Sequence, residues 1–220
     1  MGAARIIRSI FAISDEQAML RVQAHDDELA FAQLVARWEG PIQALCARMN
    51  GDEDAAQDLA QEAFVRVFSR RKEYRPTAKF STWLWRIALN LCYDELRRRQ
   101  RREKWLTPDV GGDALDSVSP GPAALAPPPD QALAEEERRT RVRETLLRLP
   151  EAQRAVLVLR HYENLKFREI AEVLGVPEGT VKSRMADALT QMGRLLRPLL
   201  NDTNDRGPGT EKQPKESLII

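Results

Sequence analysis

Cysteine and histidine are scarce in this 220-residue chain, which has two of each. Cys46 and Cys92 both lie in apolar helical patterns, and neither has a second cysteine or a histidine at the spacing of a metal site. They are therefore predicted to be buried free thiols. His25 and His161 have no nucleophile or carboxylate at a catalytic spacing, and the chain has no glycine-rich phosphate loop. The sequence predicts a protein that is not an enzyme and that needs no metal or cofactor.

Long hydrophobic runs and excess charge of one sign are also missing. No apolar segment approaches the about 20 residues of a membrane span, and the N-terminus lacks the apolar core and cleavage site of a secretory signal. These absences predict a cytoplasmic protein without membrane insertion. The net charge is only +1, so any surface for nucleic acid must come from local segregation of charge. If such a chain binds nucleic acid, its own affinity is expected to be modest, with a partner supplying the rest.

A helix-turn-helix pattern is present between Phe167 and Met192. The first helix has one apolar face, formed by Phe167, Ile170, Ala171 and Leu174. Gly175 follows where a left-handed residue ends a helix, and Pro177 suits the start of the next one. The second helix has an apolar side, formed by Val181, Met185, Ala188, Leu189 and Met192. Its short polar outer face is typical of a helix that enters the major groove, with a plain helical hairpin as the alternative.

Several helical patterns precede this motif. Ser14 and Gln17 form a capping box for a first helix. A second helix is predicted to end at Gly40 and a third to begin at Pro41. The pair Asn50 and Gly51 then predicts a break in the chain.

The helix predicted over residues 53–70 has an acidic and polar exposed half. Acids in a first turn are favourable because of the helix dipole, and this explains the acidic residues up to Asp54. It does not explain Asp58 and Glu62, which come one and two turns later. These two acids therefore indicate a docking surface.

A basic loop, residues 71–79, leads into a helix rich in aromatic residues. This helix has a core stripe formed by Leu84, Ile87, Ala88 and Leu91. Trp83 and Trp85 are two residues apart, so their side chains point about 200° apart around a helix. Trp83 is expected to pack with the stripe and Trp85 to lie nearer the surface, unless a neighbouring helix covers it.

The same helix ends in a run of arginines: Arg97, Arg98, Arg99, Arg101 and Arg102. A charge run is usually a solvated face, and cations are favourable near a helix C-terminus. Aromatic residues followed by arginines also suit unstacked bases and their phosphates. The segment is therefore a candidate for binding single-stranded DNA.

The predicted fold class is all-α, with two small helical domains joined by a flexible linker. Residues 1–13 form an N-terminal extension and residues 14–105 a four-helix domain. Residues 106–130, rich in proline, glycine and alanine, form the linker. Residues 131–200 form the helix-turn-helix domain, and the polar residues 201–220 form a disordered tail.

Four segments taken together resemble the extracytoplasmic-function group of the bacterial sigma-70 family. They are DAAQDLAQEAFVRVF (54–68), FSTWLWRIALN (80–90), the arginine run, and LPEAQRAVLVLRHYENLKFREIAEVLGVPEGTVKSR (149–184). A helix-turn-helix by itself serves many regulators, whereas four segments in this order and spacing point to this group. A stand-alone helix-turn-helix regulator is the alternative, but it leaves the acidic helix and the aromatic, basic helix without a role.

The resemblance implies an alternative sigma factor, whose partners are core RNA polymerase, promoter DNA and an anti-sigma factor. Polymerase docking is implied for Asp58, Gln61 and Glu62. A role in melting and reading the −10 element is implied for Arg75, Lys79, Phe80, Ser81, Trp83, Trp85, Arg86, Asn90, Arg97, Arg98 and Arg101. Within this set, the loop residues 75–81 and Asn90 are implied to form a pocket for one flipped base. Reading of the −35 element in duplex form is implied for Glu178, Gly179, Thr180, Lys182, Ser183 and Arg184.

Overall fold

The computed structural model describes residues 13–106 and 130–204 of the chain. All regular structure within these two ranges is helical, which confirms the all-α prediction. The helices are α1 (Asp15–His25), α2 (Glu28–Asn50), α3 (Glu53–Ser69), α4 (Phe80–Leu106), α5 (Asp130–Leu147), α6 (Glu151–His161), α7 (Phe167–Leu174) and α8 (Glu178–Asn204). A short 3-10 turn, Arg71–Glu73, lies between α3 and α4. The predicted extension, linker and tail lie outside the described residues, apart from residues 13, 106, 130 and 201–204.

Helices α1 to α4 form the N-terminal domain. Three of them begin at a side-chain cap, and the predicted capping box of Ser14 and Gln17 is present. Asp27 and Asp52 cap α2 and α3 in the same way, each accepting a hydrogen bond of 3.0 Å from a backbone N–H in the first turn. The core between the helices includes both cysteines, which are fully buried as free thiols, as predicted.

Helix α2 runs through Pro41 without a break, so the predicted boundary at Gly40 and Pro41 is wrong. Proline in a helix interior costs about 3 kcal/mol. However, Leu34, Ile42 and Leu45 on both sides of it are fully buried in one core, and each such side chain contributes about 1.5–3 kcal/mol. Burial along one continuous helix therefore outweighs the cost of the proline. The predicted break at Gly51 is observed, with φ at +76°.

Helices α5 to α8 form the C-terminal domain. Gly175 ends α7 with φ at +65°, and α8 begins directly after Pro177, as the helix-turn-helix pattern predicted. Val181 and Ala188 of α8 are fully buried. Leu189 was expected on the same side but is 56% exposed, because it lies at the edge of that face. Helix α8 also continues to Asn204, four residues past the predicted domain end, since each residue added to a formed helix gains one backbone hydrogen bond.

Arg154 of α6 joins the two domains. Its guanidinium is buried and donates to three backbone carbonyls, those of Met49, Leu147 and Leu149. Met49 lies in the last turn of α2, and Leu147 is the last residue of α5. The cation thus meets the negative ends of two helices, one from each domain, and satisfies carbonyls that no helical N–H reaches.

A second contact between the domains lies beside the first. Arg48 of α2 pairs with Glu163 at 3.4 Å, and its guanidinium lies 4.2 Å from the ring centroid of Tyr162. Burial raises the pKa of Glu163, and the charge of Arg48 opposes this shift. Leu147 also lies over Gly51, where an added Cβ would be 2.5 Å from a leucine methyl. The two domains therefore pack closely against each other at the C-terminal end of α2.

Candidate nucleic-acid interface

The acidic half of α3 is exposed to solvent. Asp58, Gln61 and Glu62 are all exposed, and Glu62 accepts a hydrogen bond of 2.9 Å from Arg66 one turn later. Val65 continues the same stripe at the i, i+3, i+4, i+7 spacing and is 58% exposed. The helix thus presents two carboxylates, an amide and an uncovered apolar side chain on one face.

The loop before α4 is shaped by contacts with α1. The side-chain amide of Gln23 donates to the carbonyls of Arg71 and Tyr74, at 3.1 and 2.9 Å. Glu16 accepts a hydrogen bond of 3.2 Å from the backbone N–H of Phe80, an N–H in the first turn of α4 that has no helical partner. Residues 75–79 between these anchors are exposed. Arg75 and Lys79 are therefore presented to solvent on a loop that is held at both ends.

Trp83 packs against the core as predicted, but Trp85, which was expected nearer the surface, is the more deeply buried of the two tryptophans at the start of α4. Trp85 is 2% exposed, and its ring centroid lies 5.6 Å from that of Trp38 in an edge-to-face contact. Trp83 is only partly buried and lies 5.3 Å from Tyr74, beside the loop. The expectation for Trp85 is wrong because α2 supplies Trp38, which covers that side of α4; this is the cover by a neighbouring helix given above as the alternative. Phe80 is also fully buried, so it and Trp85 support the site from the core and do not face a base.

The outward face of α4 carries the polar residues predicted for the −10 element. Trp83, Arg86 and Asn90 follow one another at three- and four-residue spacing, and Arg86 and Asn90 are exposed. Lys79 precedes them by one turn, and Ser81 is partly exposed beside the loop. The fold thus brings the basic loop and Asn90 onto one surface.

Helix α7 of the other domain lies against this surface. Lys79 forms a 2.7 Å ion pair with Glu169, and hydrogen bonding to this carboxylate raises the pKa of Lys79. The same contact lowers the pKa of Glu169. Arg86 donates to the carbonyls of Glu172 and Val173 near the C-terminal end of α7. In this arrangement Lys79 and Arg86, two of the basic residues predicted to contact promoter DNA, bind to the helix-turn-helix domain.

The arginines at the end of α4 are largely exposed. Arg97, Arg98 and Arg101 all face solvent. Arg98 and Arg99 each lie 3.1 Å from the carboxylate of Glu95. The Glu95 side chain is only 14% exposed, whereas that of Arg98 is 67% exposed, so the Arg98 guanidinium remains accessible to a phosphate group.

The N-terminal half of α8 presents its polar face to solvent. Glu178, Gly179, Lys182 and Ser183 are exposed, and Thr180 is partly exposed. Lys182 pairs with Glu178 at 2.7 Å, and the Ser183 hydroxyl donates to the carbonyl of Thr180 at 3.0 Å. Both side-chain contacts join residues within one turn of α8. Lys182 and Ser183 can therefore reorient towards a DNA groove without disturbing the core.

Arg184 points away from that face. It is partly buried, and its charge lies close enough to Tyr93 of α4 to affect that phenol. Burial raises the pKa of Tyr93 to about 12, and the Arg184 charge opposes the shift. In this arrangement Arg184 faces the N-terminal domain.

Two kinds of feature are absent from the part of the chain that the structure describes. It contains no cluster of three or more histidine, cysteine, aspartate or glutamate residues suited to a metal ion. None of its helices is both long and apolar enough to cross a bilayer.

Comparison with known proteins gives a consistent result. Residues 34–102 match sigma-70 region 2, and residues 139–192 match sigma-70 region 4. The chain is 35% identical over 173 residues to the ECF RNA polymerase sigma factor SigW of Bacillus subtilis, covering 79% of this chain and 92% of the relative. The chain belongs to the extracytoplasmic-function group of the sigma-70 family. A stand-alone regulator is not favoured, because both sigma regions are present in this sigma factor.

Two solved structures resemble the fold of the sigma factor. CnrH in complex with the cytosolic domain of CnrY superposes with a TM-score of 0.59 at 25% identity, covering 84% of this chain and 99% of that one. The sigma factor RpoE of Bartonella quintana, in complex with the anti-sigma factor NepR, gives a TM-score of 0.57 at 23% identity, covering 76% and 96%.

Three features of the sigma factor escaped the sequence analysis. Val65 could have been found, since it continues the spacing of Asp58 and Glu62. The Arg154 bond to Met49 and the pairing of Lys79 with Glu169 could not. The first joins residues 105 positions apart and the second joins residues 90 positions apart. Local spacing carries no information about such contacts.

Proposed function

We propose that this sigma factor directs core RNA polymerase to a specific set of promoters through three exposed surfaces. They are the acidic face of α3, the outward face of α4 with its preceding loop, and the N-terminal half of α8. The observation that carries this proposal is that most of the groups implied for each role lie together on a solvent-accessible surface, the exceptions being Phe80, Trp85 and Arg184. The protein acts by binding, without catalytic chemistry of its own, and works in the cytoplasm where polymerase and promoter DNA are found.

The acidic face of α3 is the proposed polymerase-docking surface. Asp58 and Glu62 offer charge for a basic partner, Gln61 a hydrogen-bonding amide, and Val65 an apolar contact at the C-terminal end of the stripe. Electrostatic complementarity of this kind accelerates association and selects the partner, while the apolar contact slows dissociation.

The outward face of α4 and its loop are the proposed −10 surface. Asn90 offers a donor and an acceptor to one unpaired base, and Lys79 and Arg86 offer cations to phosphates. Trp83 is the aromatic residue near this surface that remains partly exposed. Phe80 and Trp85 take no direct part in this proposal, because both are in the core.

Energetics explain why such a surface needs polymerase. Opening DNA costs about 1.4 kcal/mol for each base step. Stacking one base on an aromatic side chain returns about 1–3 kcal/mol. One or two captured bases therefore offset only the first steps of melting, and polymerase must bind the remaining strand.

The N-terminal half of α8 is the proposed reader of the −35 element. Lys182 and Ser183 are placed to reach a base edge or a phosphate once α8 enters the major groove. Glu178, Gly179 and Thr180 lie at the start of the helix, where the backbone comes nearest to the DNA. Arg184 lies on the other side of α8, near Tyr93, so it is not part of this surface in the present arrangement.

An anti-sigma factor is a further proposed partner. The support is the likeness in fold to RpoE of Bartonella quintana, which was solved with the anti-sigma factor NepR. Such a protein would control when the three surfaces become available.

Reconstituted transcription tests the proposal. The purified chain is mixed with bacterial core polymerase and genomic DNA, and the transcripts are sequenced. We expect new start sites that share −10 and −35 sequences, and co-elution of the chain with core polymerase. Binding to duplex DNA with no effect on core polymerase would instead establish a stand-alone regulator.

A further inference from the structure

Asp187 lies in the third turn of α8, on the side of the helix that carries Thr180 and Ser183. The three residues stand at i, i+3 and i+7, which places them within about 60° of one another around the helix axis. Asp187 and Ser183 are exposed, and Thr180 is partly exposed. The surface proposed to read the −35 element therefore includes a carboxylate.

The carboxylate of Asp187 forms no ion pair with any residue in the described ranges, 13–106 and 130–204. Lys182 pairs instead with Glu178, at 2.7 Å. Arg184 comes three residues before Asp187, but it is partly buried and lies near Tyr93 of α4. An unpaired carboxylate is well solvated in water, but the DNA phosphates repel it once the helix enters a groove. Asp187 therefore needs a hydrogen-bond donor within that groove.

The outer face of α8 is shaped for a close approach to another molecule. Gly179, Ser183 and Ala186 follow one another at four- and three-residue spacing, and all three are exposed. Glycine is less favourable than alanine in a helix, yet a Cβ added at Gly179 would meet no packing neighbour within 4 Å in the described part of the chain. Internal packing thus gives no reason for this glycine, whereas close approach of the backbone to DNA does. The short side chain of Asp187 needs the same close approach in order to reach a base edge.

The chemistry of a carboxylate selects the base that it can meet. An ionised aspartate accepts hydrogen bonds and donates none. In the major groove, guanine and thymine present acceptors, and adenine presents the acceptor N7 beside its amine. Cytosine presents its N4 amine with no acceptor on the same base. A carboxylate in this groove is therefore complementary to cytosine and is repelled by acceptors on the other three bases.

We infer that Asp187 is a specificity-determining residue for the −35 element, whose carboxylate accepts a hydrogen bond from the N4 amine of one cytosine. This inference rests on the proposed function and deepens it, because it names the base that one side chain of the sigma factor selects. Asp187 comes four residues after Ser183, a rise of about 6 Å, or about two base steps of 3.4 Å. The cytosine is therefore expected about two base pairs from the pair that Ser183 contacts.

The test uses holoenzyme assembled from core polymerase and the full chain. Its DNA is a promoter recovered in the transcription experiment, made as a library in which every position of the −35 element is varied. The wild type should prefer a cytosine, on one strand, at one position. Asp187→Ala should reduce the discrimination in favour of that cytosine by about 5- to 150-fold, the range for loss of one base contact. The preferences at the other positions should remain.

Asp187→Asn gives the sharper result. The amide of asparagine both donates and accepts, so it pairs with N6 and N7 of adenine. The preferred base at this one position should therefore change from cytosine to adenine. Loss of structure or of charge does not produce such a change, because either of these affects all sequences alike.

Glu144→Asn is the matched control. Glu144 is exposed on α5, outside the proposed reading face, and its replacement removes the same charge. This variant should keep the wild-type base preference, and it shows how much the loss of one negative charge raises the affinity for all sequences. Circular dichroism should show the same helix content for every variant, because the substituted side chains are exposed.

Three results would overturn the inference while leaving the sigma-factor function intact. The first is an equal gain in affinity for all −35 sequences in Asp187→Ala and Glu144→Asn, which would make the carboxylate a repulsive group only. The second is an unchanged base preference in Asp187→Asn. The third is weaker binding of Asp187→Ala to core polymerase with unchanged base preference, which would assign Asp187 to a protein contact. Failure of the wild-type chain to support any polymerase-dependent initiation would instead contradict the proposed function itself.

Discussion

Arg154 shows how much one buried side chain holds together in this protein. Its guanidinium satisfies carbonyls at the C-terminal ends of α2 and α5, and each bond joins a full positive charge to a helix end. Removing the cation leaves those carbonyls buried without a donor, which is more costly than the bond itself is stabilising.

Arg154→Met should therefore lower the free energy of unfolding by about 2–3 kcal/mol, the scale of a hydrogen bond to a charged group. Methionine keeps the apolar stem, so the loss reports the guanidinium. Denaturant unfolding followed by circular dichroism measures it. Arg168→Met is the control, since the Arg168 side chain is 85% exposed and should change stability very little. Equal stability of both variants would contradict the role given to Arg154.

Asn90 is the residue on which the −10 proposal depends most. Asn90→Ala should leave the fold and polymerase binding intact, because the side chain is exposed, and should reduce promoter opening. Permanganate reactivity of thymines near the start site measures opening. A pre-melted template should largely rescue the variant, since the base no longer has to be unstacked. An equal defect on duplex and pre-melted DNA would mean a loss of general DNA affinity and would rule out the flipped-base pocket.

At the scale of the helix, α3 separates a face that packs in the core from an exposed face that is proposed to dock on polymerase. Reversing Asp58 and Glu62 together to lysine should weaken binding to core polymerase strongly. The melting temperature should hardly change, because neither carboxylate is buried and surface pairs contribute about 0–1 kcal/mol. Fluorescence anisotropy of the labelled chain with core polymerase measures the affinity.

A matched control reverses the same amount of charge elsewhere. Glu39 and Glu144 are exposed on α2 and α5, and their double reversal to lysine should leave polymerase affinity close to wild type. If the two double variants behave alike, net charge and not the α3 face determines binding.

Helix α8 makes a separate prediction about how the −35 element is read. Single alanine variants of Lys182, Ser183 and Arg184 should each fall into one of two classes. Loss of a base contact costs about 1–3 kcal/mol and relaxes the preference at one position, whereas loss of a phosphate contact weakens all sequences alike. Competition binding with a library of −35 variants distinguishes the classes. Thr190→Ala, on the exposed side further along α8, serves as the control; no change in any of the three would rule out this helix face as the reader.

At the scale of the whole molecule, the domains meet through groups that the proposed function assigns to promoter DNA. Lys79 and Arg86 are bound to α7. If these residues bind the promoter as proposed, they must exchange their contacts with α7 for contacts with DNA. The docked arrangement of the free chain would then compete with the promoter.

The ion pair between Lys79 and Glu169 gives this competition a pH dependence. The pKa of Glu169 is lowered from 4.5, so its contribution is present above that pH and is lost as the pH falls through its value in the folded chain. The pKa of Lys79 is raised from 10.5, so its contribution is present below that pH and is lost above it. The strength of the ion pair between Lys79 and Glu169 should therefore be constant between pH 4.5 and pH 10.5 and should fall below and above this range.

Glu169→Gln should remove the dependence of the domain contact on pH at the acidic end. It should also increase the separation of the domains at neutral pH. Energy transfer between dyes placed one in each domain measures the separation. The effect should shrink as salt rises, because the pair is at the surface. The matched control is Glu172→Gln, because the Arg86 bond uses the Glu172 backbone and not its side chain. Identical transfer in wild type and Glu169→Gln across the whole pH range would contradict the contact.

The sequence by itself determined the parts of this protein that depend on near neighbours. Helix identity, the capping box at Ser14, the turn at Gly175 and the exposed acids Asp58 and Glu62 all follow from spacings of a few residues. The order of four such segments was also enough to recognise the family. These features need no distant partner, because helix caps, turns and amphipathic faces act over one or two turns.

Only the tertiary structure decided the features that depend on packing between distant residues. Pro41 remains inside a helix because both flanks bury into one core, and Trp85 is buried because Trp38 covers it, 47 positions away in the sequence. The proposed DNA-binding residues Lys79 and Arg86 meet α7 because the two domains close on each other around Arg154. Spacing along a helix shows which residues share a face, but the free energy of burying that face depends on which part of the chain packs against it.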